Sequence, residues 1–202
     1  MCIRDRTVIQ SNMGVLEMEI KKVEGSFVST FHRAQERIKQ QISRMTNIMD
    51  DVLIIGKINA GKVILDFSPV NLIELCEEVT KNYNEIGKGE AVIFESFGNA
   101  YDFQLDRKLM EQVLSNLVSN SIKYSRNSNP PVVTLRYEDE GISISVKDAG
   151  IGMSESDLEH VFEPFYRASN ALEITGTGLG TTIAKEYVEL NGGTISVRSE
   201  LN

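Results

Sequence analysis

Cysteine is scarce in this chain of 202 residues, which holds only Cys2 and Cys76. Neither a disulfide framework nor a four-ligand zinc site can be built from that pair within one chain, and a reducing, cytosolic setting is expected. Long apolar runs are also missing. The longest apolar cluster, around Val52 to Ile55, is far shorter than the roughly 18 residues that a membrane span needs. Positive charge is in deficit, with 21 Lys and Arg against 29 Asp and Glu and a formal net charge of -8. Nucleic acid and anionic membrane both repel such a surface, so neither is expected as a partner of these residues, although the balance allows a local basic pocket.

What is present is the composition of a globular chain, long enough for one ordinary domain with an accessory element or for two small ones. Residues 1–6 lack the apolar stretch of a signal peptide and do not join the pattern that follows, so they read as a scar or an artificial start. From Ile9 onward, Met13, Leu16, Ile20 and Val23 recur at spacings of four and three, the period of a coiled-coil-like helix face. Glu24-Gly25-Ser26 breaks this helix; Phe31, Ala34, Ile38, Met45, Ile48, Val52 and Ile55 resume the heptad, with Gln41 as its polar member. Two helices sharing one seam make an antiparallel hairpin. Alone it would leave its stripe wet, so pairing with a second copy into a four-helix bundle is expected.

The domain expectation is a hairpin over 7–61, a linker over 62–69 and a second domain over 70–202. In the second domain the pattern predicts helices over 70–83, 106–124 and 181–190, and strands over 91–95, 132–137, 142–147 and 194–199. Glu138 to Gly141 reads as a hairpin turn. Helices alternating with antiparallel-leaning strands give an α+β class with a mixed two-layer arrangement.

Three segments carry chemistry. On a helix, Asn116, Asn120 and Lys123 fall within a narrow arc. That arc borders an exposed face (Glu111, Gln112, Ser115, Ser119) and an apolar one (Leu109, Val113, Leu117), where a pocket wall would sit. Carboxamide oxygens suit Mg²⁺ and a lysine can meet phosphate; the plain alternative is a solvated helix face. Asp148-Ala-Gly150-Ile-Gly152 follows a strand, its carboxylate a natural partner for an adenine amino group and its glycines open to close approach by a ligand. An ordinary glycine turn is the alternative. Gly176-Thr177-Gly178-Leu179-Gly180 precedes a helix, so its amides can face phosphate, yet it matches neither a P-loop nor a dinucleotide-type turn. Between these loops, Val161-Phe162-Glu-Pro-Phe165-Tyr-Arg167 offers two aromatics and a cation, which taken alone read as core and surface.

The order of these segments separates them from their plain readings. On them the chain resembles the sensor histidine kinases of two-component systems, in the ATPase fold shared with gyrase-type topoisomerases and heat-shock chaperones. Asn116 to Ser125 is similar to the family's asparagine box, Asp148 to Met153 and Gly176 to Gly180 to its two glycine boxes, and Phe162 to Arg167 to its phenylalanine box. The resemblance implies a Bergerat-type α/β sandwich that binds ATP and Mg²⁺ through Asn116, Asn120, Lys123, Tyr124, Asp148, Gly150, Gly152, Arg167, Gly176, Thr177, Gly178, Leu179 and Gly180. It implies Asn120 as the metal ligand, Asp148 on the adenine amino group, Lys123, Tyr124 and Arg167 around the phosphates, and a lid over 168–175. Asn116, Lys123 and Arg167 are the implied catalytic residues. ATP-hydrolysing relatives carry a glutamate where this chain has Asn116, and an amide cannot be the base that activates water. Phosphoryl transfer to a protein histidine, and relay to a response regulator receiver domain, is therefore the implied activity.

Four features depart from the family pattern. The histidine of the phosphoacceptor box falls at or before the start of the chain, so no phosphoacceptor is assigned and autophosphorylation needs one supplied. His32 has no neighbouring carboxylate in sequence and His160 lies in the phenylalanine box, so neither reads as the acceptor. The family's last strand is expected to be missing after Asn202, leaving a sheet edge. Thr181-Thr182 and Asn191 replace the usual apolar residue and histidine, and neither change is expected to abolish nucleotide binding. Two other classes compete: a non-catalytic ATP-binding or partner-recruiting module, and an ATP-hydrolysing chaperone or topoisomerase domain. A cytoplasmic placement is expected for these residues, with any membrane anchor of the parent protein elsewhere.

Overall fold

In the computed structural model, residues 26–86, 91–125, 129–139, 141–172, 174 and 176–201 are described. The chain divides into two compact units, Met1–Leu53 and Ile54–Asn202. The first expected helix, with Ile9, Met13, Leu16, Ile20 and Val23, lies outside the described residues, as do residues 1–6. No helix among the described residues is long and apolar enough to cross a membrane.

The first described element is the 34-residue helix α1 (Ser26–Asn59). In the first unit, three members of its predicted seam, Ile38, Met45 and Val52, are about half exposed, whereas Gln35 and Ile42 are buried. The stripe covered within one chain is thus displaced by one residue from the stripe the heptad marks. Apolar positions on two adjoining stripes of one helix cannot all be covered by a single neighbour.

The second unit holds two sheets. Strands β1 (Phe67–Val70) and β3 (Phe103–Asp106) form an antiparallel ribbon, with Phe67 opposite Asp106 and Val70 opposite Phe103. Residues 67–69, read from sequence as linker, therefore lie in a strand. Pro69 marks a break in the pattern, yet an edge strand tolerates a residue that has no N–H to give. The larger sheet runs in the order β2 (Ile93–Phe97), β4 (Val132–Glu138), β5 (Gly141–Lys147). β4 and β5 form the expected hairpin, Glu138 opposite Gly141, but β2 and β4 are parallel. The antiparallel leaning fails there because the 18-residue helix α3 (Arg107–Tyr124) lies in the connection between them and supplies the long crossover that parallel pairing requires.

Among the described residues the unit also has three further helices, α2 (Leu72–Ile86), α4 (Glu155–His160) and α5 (Gly180–Leu190), with a 3₁₀ turn at Ser169–Ala171. The strand expected over 194–199 is not formed. Burial still alternates along Ile195 to Glu200 as in a strand, but no ladder holds the segment among the described residues. It is fixed by side chains instead: Ile195 packs on an apolar cluster and Ser199 Oγ accepts from Met153 N–H at 3.0 Å.

Helix α3 starts where Asp106 caps it, accepting from the Lys108 and Leu109 amides. Its Leu114 and Val118 enter one cluster with Val70, Leu72, Leu75, Val79, Leu105, Val133 and Leu135. Its Val113 enters a second with Leu179, Ile183, Ala184 and Tyr187, against which Ile54, Ile55 and Ile58 of the last turns of α1 also pack. Leu114 is 1 % exposed. Truncating it leaves a cavity, so Leu114→Ala should cost about 2–5 kcal/mol, read as a lowered urea midpoint; an unchanged midpoint would deny it a place in the core.

Candidate functional site

With both apolar faces of α3 buried, its half-buried polar arc carries Asn116, Asn120, Lys123 and Tyr124. The first glycine loop hangs on the end of this helix, where Ile151 N–H donates to the Tyr124 carbonyl at 3.2 Å. Asp148 is exposed, and its Oδ1 accepts from Gly150 N–H at 2.8 Å, an Asx-type turn that closes the loop. Gly150 is pressed between that carboxylate and the Tyr124 carbonyl. Gly152 has φ +67° and lies against the Glu200 backbone, leaving no space for a Cβ. The close packing at both glycines includes the protein's own backbone.

The second glycine turn meets the same helix. Asn116 Nδ2 donates to the Gly180 carbonyl at 3.2 Å. Lys123 Nζ donates to Tyr124 OH at 3.1 Å, sits over that ring, and lies so near Gly176 that a Cβ there would come within 2.5 Å. Thr177 Oγ1 accepts from Leu179 N–H at 3.2 Å, and Leu179 is fully buried. The N-terminus of α5, which has no side-chain cap among the described residues, thus opens beside Asn116, with Lys123 against Gly176, a setting suited to an anion. Asn120 is half-buried and its carboxamide makes no hydrogen bond to a described residue. An uncommitted oxygen donor on the helix arc that also carries Asn116 and Lys123 fits Mg²⁺ with phosphate. No cluster of three or more His, Cys, Asp or Glu able to hold a metal exists among the described residues.

Arg167 is placed differently from the sequence expectation. Its Nη2 donates to the carbonyls of Ala171, Leu172 and Ile174 at 2.6, 2.8 and 2.5 Å, gathering the segment expected to be the lid. In this arrangement its guanidinium organises that segment.

The phenylalanine box is bound to the second glycine turn through backbone. Phe165 has φ +65°, rare for a residue with a side chain, and its N–H donates to the Gly178 carbonyl at 2.9 Å. Gly178, at φ +75°, would drive a Cβ to 2.7 Å from the Phe165 and Tyr166 backbone. The family departures Thr181 and Thr182 acquire a reason here. Their hydroxyls donate to the Val161 and Phe162 carbonyls at 2.7 and 3.0 Å, a role no apolar side chain can take. Asn191 likewise bridges elements: its Oδ1 accepts from Asp106 N–H at 2.7 Å and its Nδ2 donates to the Tyr187 carbonyl at 2.8 Å.

Two side-chain pairings escape the sequence reading. Asp157 is buried; its Oδ2 accepts from Ser154 Oγ at 2.6 Å and its Oδ1 from Tyr166 OH at 2.8 Å. These bonds, that from Ser154 foremost, hold its carboxyl below the usual carboxylate range. Ser154-Glu-Ser-Asp157 is a capping-box pattern that marks α4 in sequence, though the helix is too short for periodicity to register. His160 does have a carboxylate beside it, Glu163 Oε1 at 2.8 Å from Nδ1, which raises its pKa. That pairing favours the imidazolium, which is no nucleophile.

Two predictions follow from this geometry. Gly178→Ala should lose about 2 kcal/mol or more from its positive φ and backbone clash, whereas Gly180→Ala, whose Cβ would sit 3.7 Å from Asn116 Cγ, should be neutral or stabilising in thermal melts. Equal losses would refute the interlock. The Asp157 bonds stabilise the fold fully above the unfolded pKa of about 3.9, and this contribution is lost as pH falls through the lowered native value. The gap in Tm between wild type and Asp157→Asn should therefore be widest near neutral pH and shrink in acid; a gap that widens in acid would reverse the sign.

The match to the model of the family described as histidine kinase-, DNA gyrase B-, and HSP90-like ATPase covers residues 105–202. Sensor histidine kinase YvrG of Bacillus subtilis (strain 168) is 30% identical over 168 residues, 82% of this chain and 29% of its own length. The full-length ShkA structure in complex with AMPPNP superposes with a TM-score of 0.71 at 18% identity, over 95% of this chain and 43% of that one. The structure of histidine kinase ThkA in complex with response regulator protein TrrA gives 0.65 at 23% identity, over 95% and 55%. The chain thus spans under a third of the length of YvrG. Its mixed sheet with flanking helices is the Bergerat-type ATP-binding fold, and residues 105–202 are a catalytic domain of the histidine-kinase type, matching the histidine kinase-, DNA gyrase B-, and HSP90-like ATPase family.

Proposed function

We propose that residues 70–202 bind Mg-ATP and transfer its γ-phosphoryl group to a histidine on a dimerisation domain, for relay to an aspartate of a response regulator. The observation that carries this reading is Asn116. Its amide donates to the Gly180 carbonyl at the mouth of the second glycine turn, a bond that a carboxylate could not donate. The same amide cannot take a proton from water, so hydrolysis lacks its base. Asp148 would accept from the adenine amino group. Asn120 would hold the metal, with Lys123 and the α5 N-terminus toward the phosphates. When bound, Mg²⁺ supplies charge neutralisation on the phosphate oxygens. The chain's own contribution is orientation and a fixed electrostatic field. In the transfer, the bond from the γ-phosphorus to its bridging oxygen breaks, ADP leaves, and a bond to an imidazole nitrogen forms.

Neither His32 nor His160 is the acceptor in our reading, with residues 7–61 forming the hairpin and 62–69 the linker. The half-exposed seam of Ile38, Met45 and Val52 would be covered by a second copy, giving a four-helix bundle. The response regulator partner draws support from the histidine kinase structure solved with one.

Mixing this chain with a dimerisation domain that retains its histidine, then adding labelled Mg-ATP, should leave acid-labile phosphate on that domain. Nucleotide binding without transfer would favour a non-catalytic module, and rapid hydrolysis without an acceptor an ATPase. Asn120→Ala should weaken affinity about tenfold with Mg²⁺ present and leave Mg-free affinity unchanged; equal affinities in both titrations would remove Asn120 from the ligand set.

A further inference from the structure

We infer that Asp157 is a positioning residue for the nucleotide site, acting through Tyr166 to set the phenylalanine box against the second glycine turn. The inference rests on the reading of that site as one for Mg-ATP. The capping of α4 accounts for only half of the carboxylate: Oδ2 takes the Ser154 hydroxyl and the Ser154 N–H, while Oδ1 reaches nine residues along the chain to the Tyr166 hydroxyl. A capping box needs no such second partner. No ion pair compensates this buried charge among the described residues, so it depends on hydrogen bonds, and each is therefore costly to lose.

Tyr166 is well placed to transmit the constraint. On one side stands Phe165, with positive φ and its N–H on the Gly178 carbonyl. On the other stands Arg167, which gathers the carbonyls of Ala171 and Leu172. Thr181 and Thr182 tie the far end of the box to the start of α5. Fixing the Tyr166 hydroxyl thus fixes a turn, an arginine and a helix N-terminus together. The turn and the helix N-terminus lie toward the phosphate end of the proposed site, while Asp148 and the adenine end hang on the Tyr124 carbonyl and meet the arginine's segment through one side-chain bond, from Asn170 Nδ2 to the Gly152 carbonyl at 2.9 Å.

A consequence separates this role from general stability. Releasing Tyr166 should affect phosphate recognition and spare adenosine. The 202-residue chain and its variants Tyr166→Phe, Asp157→Asn and the double variant would be titrated, with Mg²⁺, against adenosine, ADP and a non-hydrolysable ATP analogue. Tyr166→Phe keeps the ring against His160, 5.3 Å between centroids, and is the gentler change. Each single variant should bind the ATP analogue about fivefold to tenfold more weakly and adenosine within about twofold of wild type. The double variant should be no weaker than Asp157→Asn, since the Tyr166 hydroxyl acts only through its bond to this side chain. Adenosine weakened as much as the analogue, additive losses, or an unaffected analogue would each overturn the inference while leaving wild-type binding intact. A wild-type chain that binds none of the three overturns the Mg-ATP reading, and the inference with it. Should Asp157→Asn fail to fold, Tyr166→Phe alone decides.

Discussion

Helix α3 has to be buried on two sides at once, and most of the second unit is arranged around that constraint. Leu114 and Val118 belong to the cluster beneath the sheet, while Val113 belongs to the cluster shared with α5 and the last turns of α1. What is left is an exposed face with Lys108, Glu111, Gln112 and Ser119 and, beside it, a half-buried polar strip with Asn116, Asn120 and Lys123. Amphipathic helices ordinarily give their polar strip to solvent. Here Asn116 and Lys123 meet the second glycine turn, and the Tyr124 carbonyl takes the first glycine loop. The pocket wall is what remains once the two apolar faces are satisfied.

The loops themselves are held by backbone more than by side chains. Phe165 and Gly178 occupy complementary left-handed conformations and exchange a hydrogen bond, while Gly152 gives way to the Glu200 backbone. Such positions are affordable only where the surroundings determine them fully. Hydroxyl and carboxylate groups then lock the assembly at its ends, Thr181 and Thr182 on one side and Asp157 with Tyr166 on the other. Glycine in these turns therefore serves the packing of one loop on another, and the polar groups left uncommitted, Asn120 foremost, are the ones available to a ligand.

Much of this architecture is legible in the residues, and the part that is not has physical reasons. The long amphipathic helix over 106–124 follows from period, and the β4–β5 hairpin from alternation around a glycine turn, because both depend on local pattern. That Asn116 and Lys123 share a face follows from the same period; which loop closes on them does not. The β1–β3 ribbon is hidden because its strands are four residues long and one contains Pro69. The parallel pairing of β2 with β4 is a choice among distant partners that no local pattern encodes. The extended segment after Gly193 alternates as a strand should, yet a strand also needs a partner edge, which alternation cannot supply. The bond from Asp157 to Tyr166 is nonlocal in the same way. Its only trace in sequence is the capping box that places one end of it.

The central claim is that the three motifs meet around one nucleotide on the polar strip of α3. It is tested most directly by following the backbone amide resonances of the labelled chain as Mg-ATP is added. The account predicts shifts concentrated at 116–124, 148–152 and 176–180. Saturable shifts confined to the groove lined by Ile54, Lys57, Lys62 and Tyr187, or no shifts at millimolar nucleotide, would contradict it.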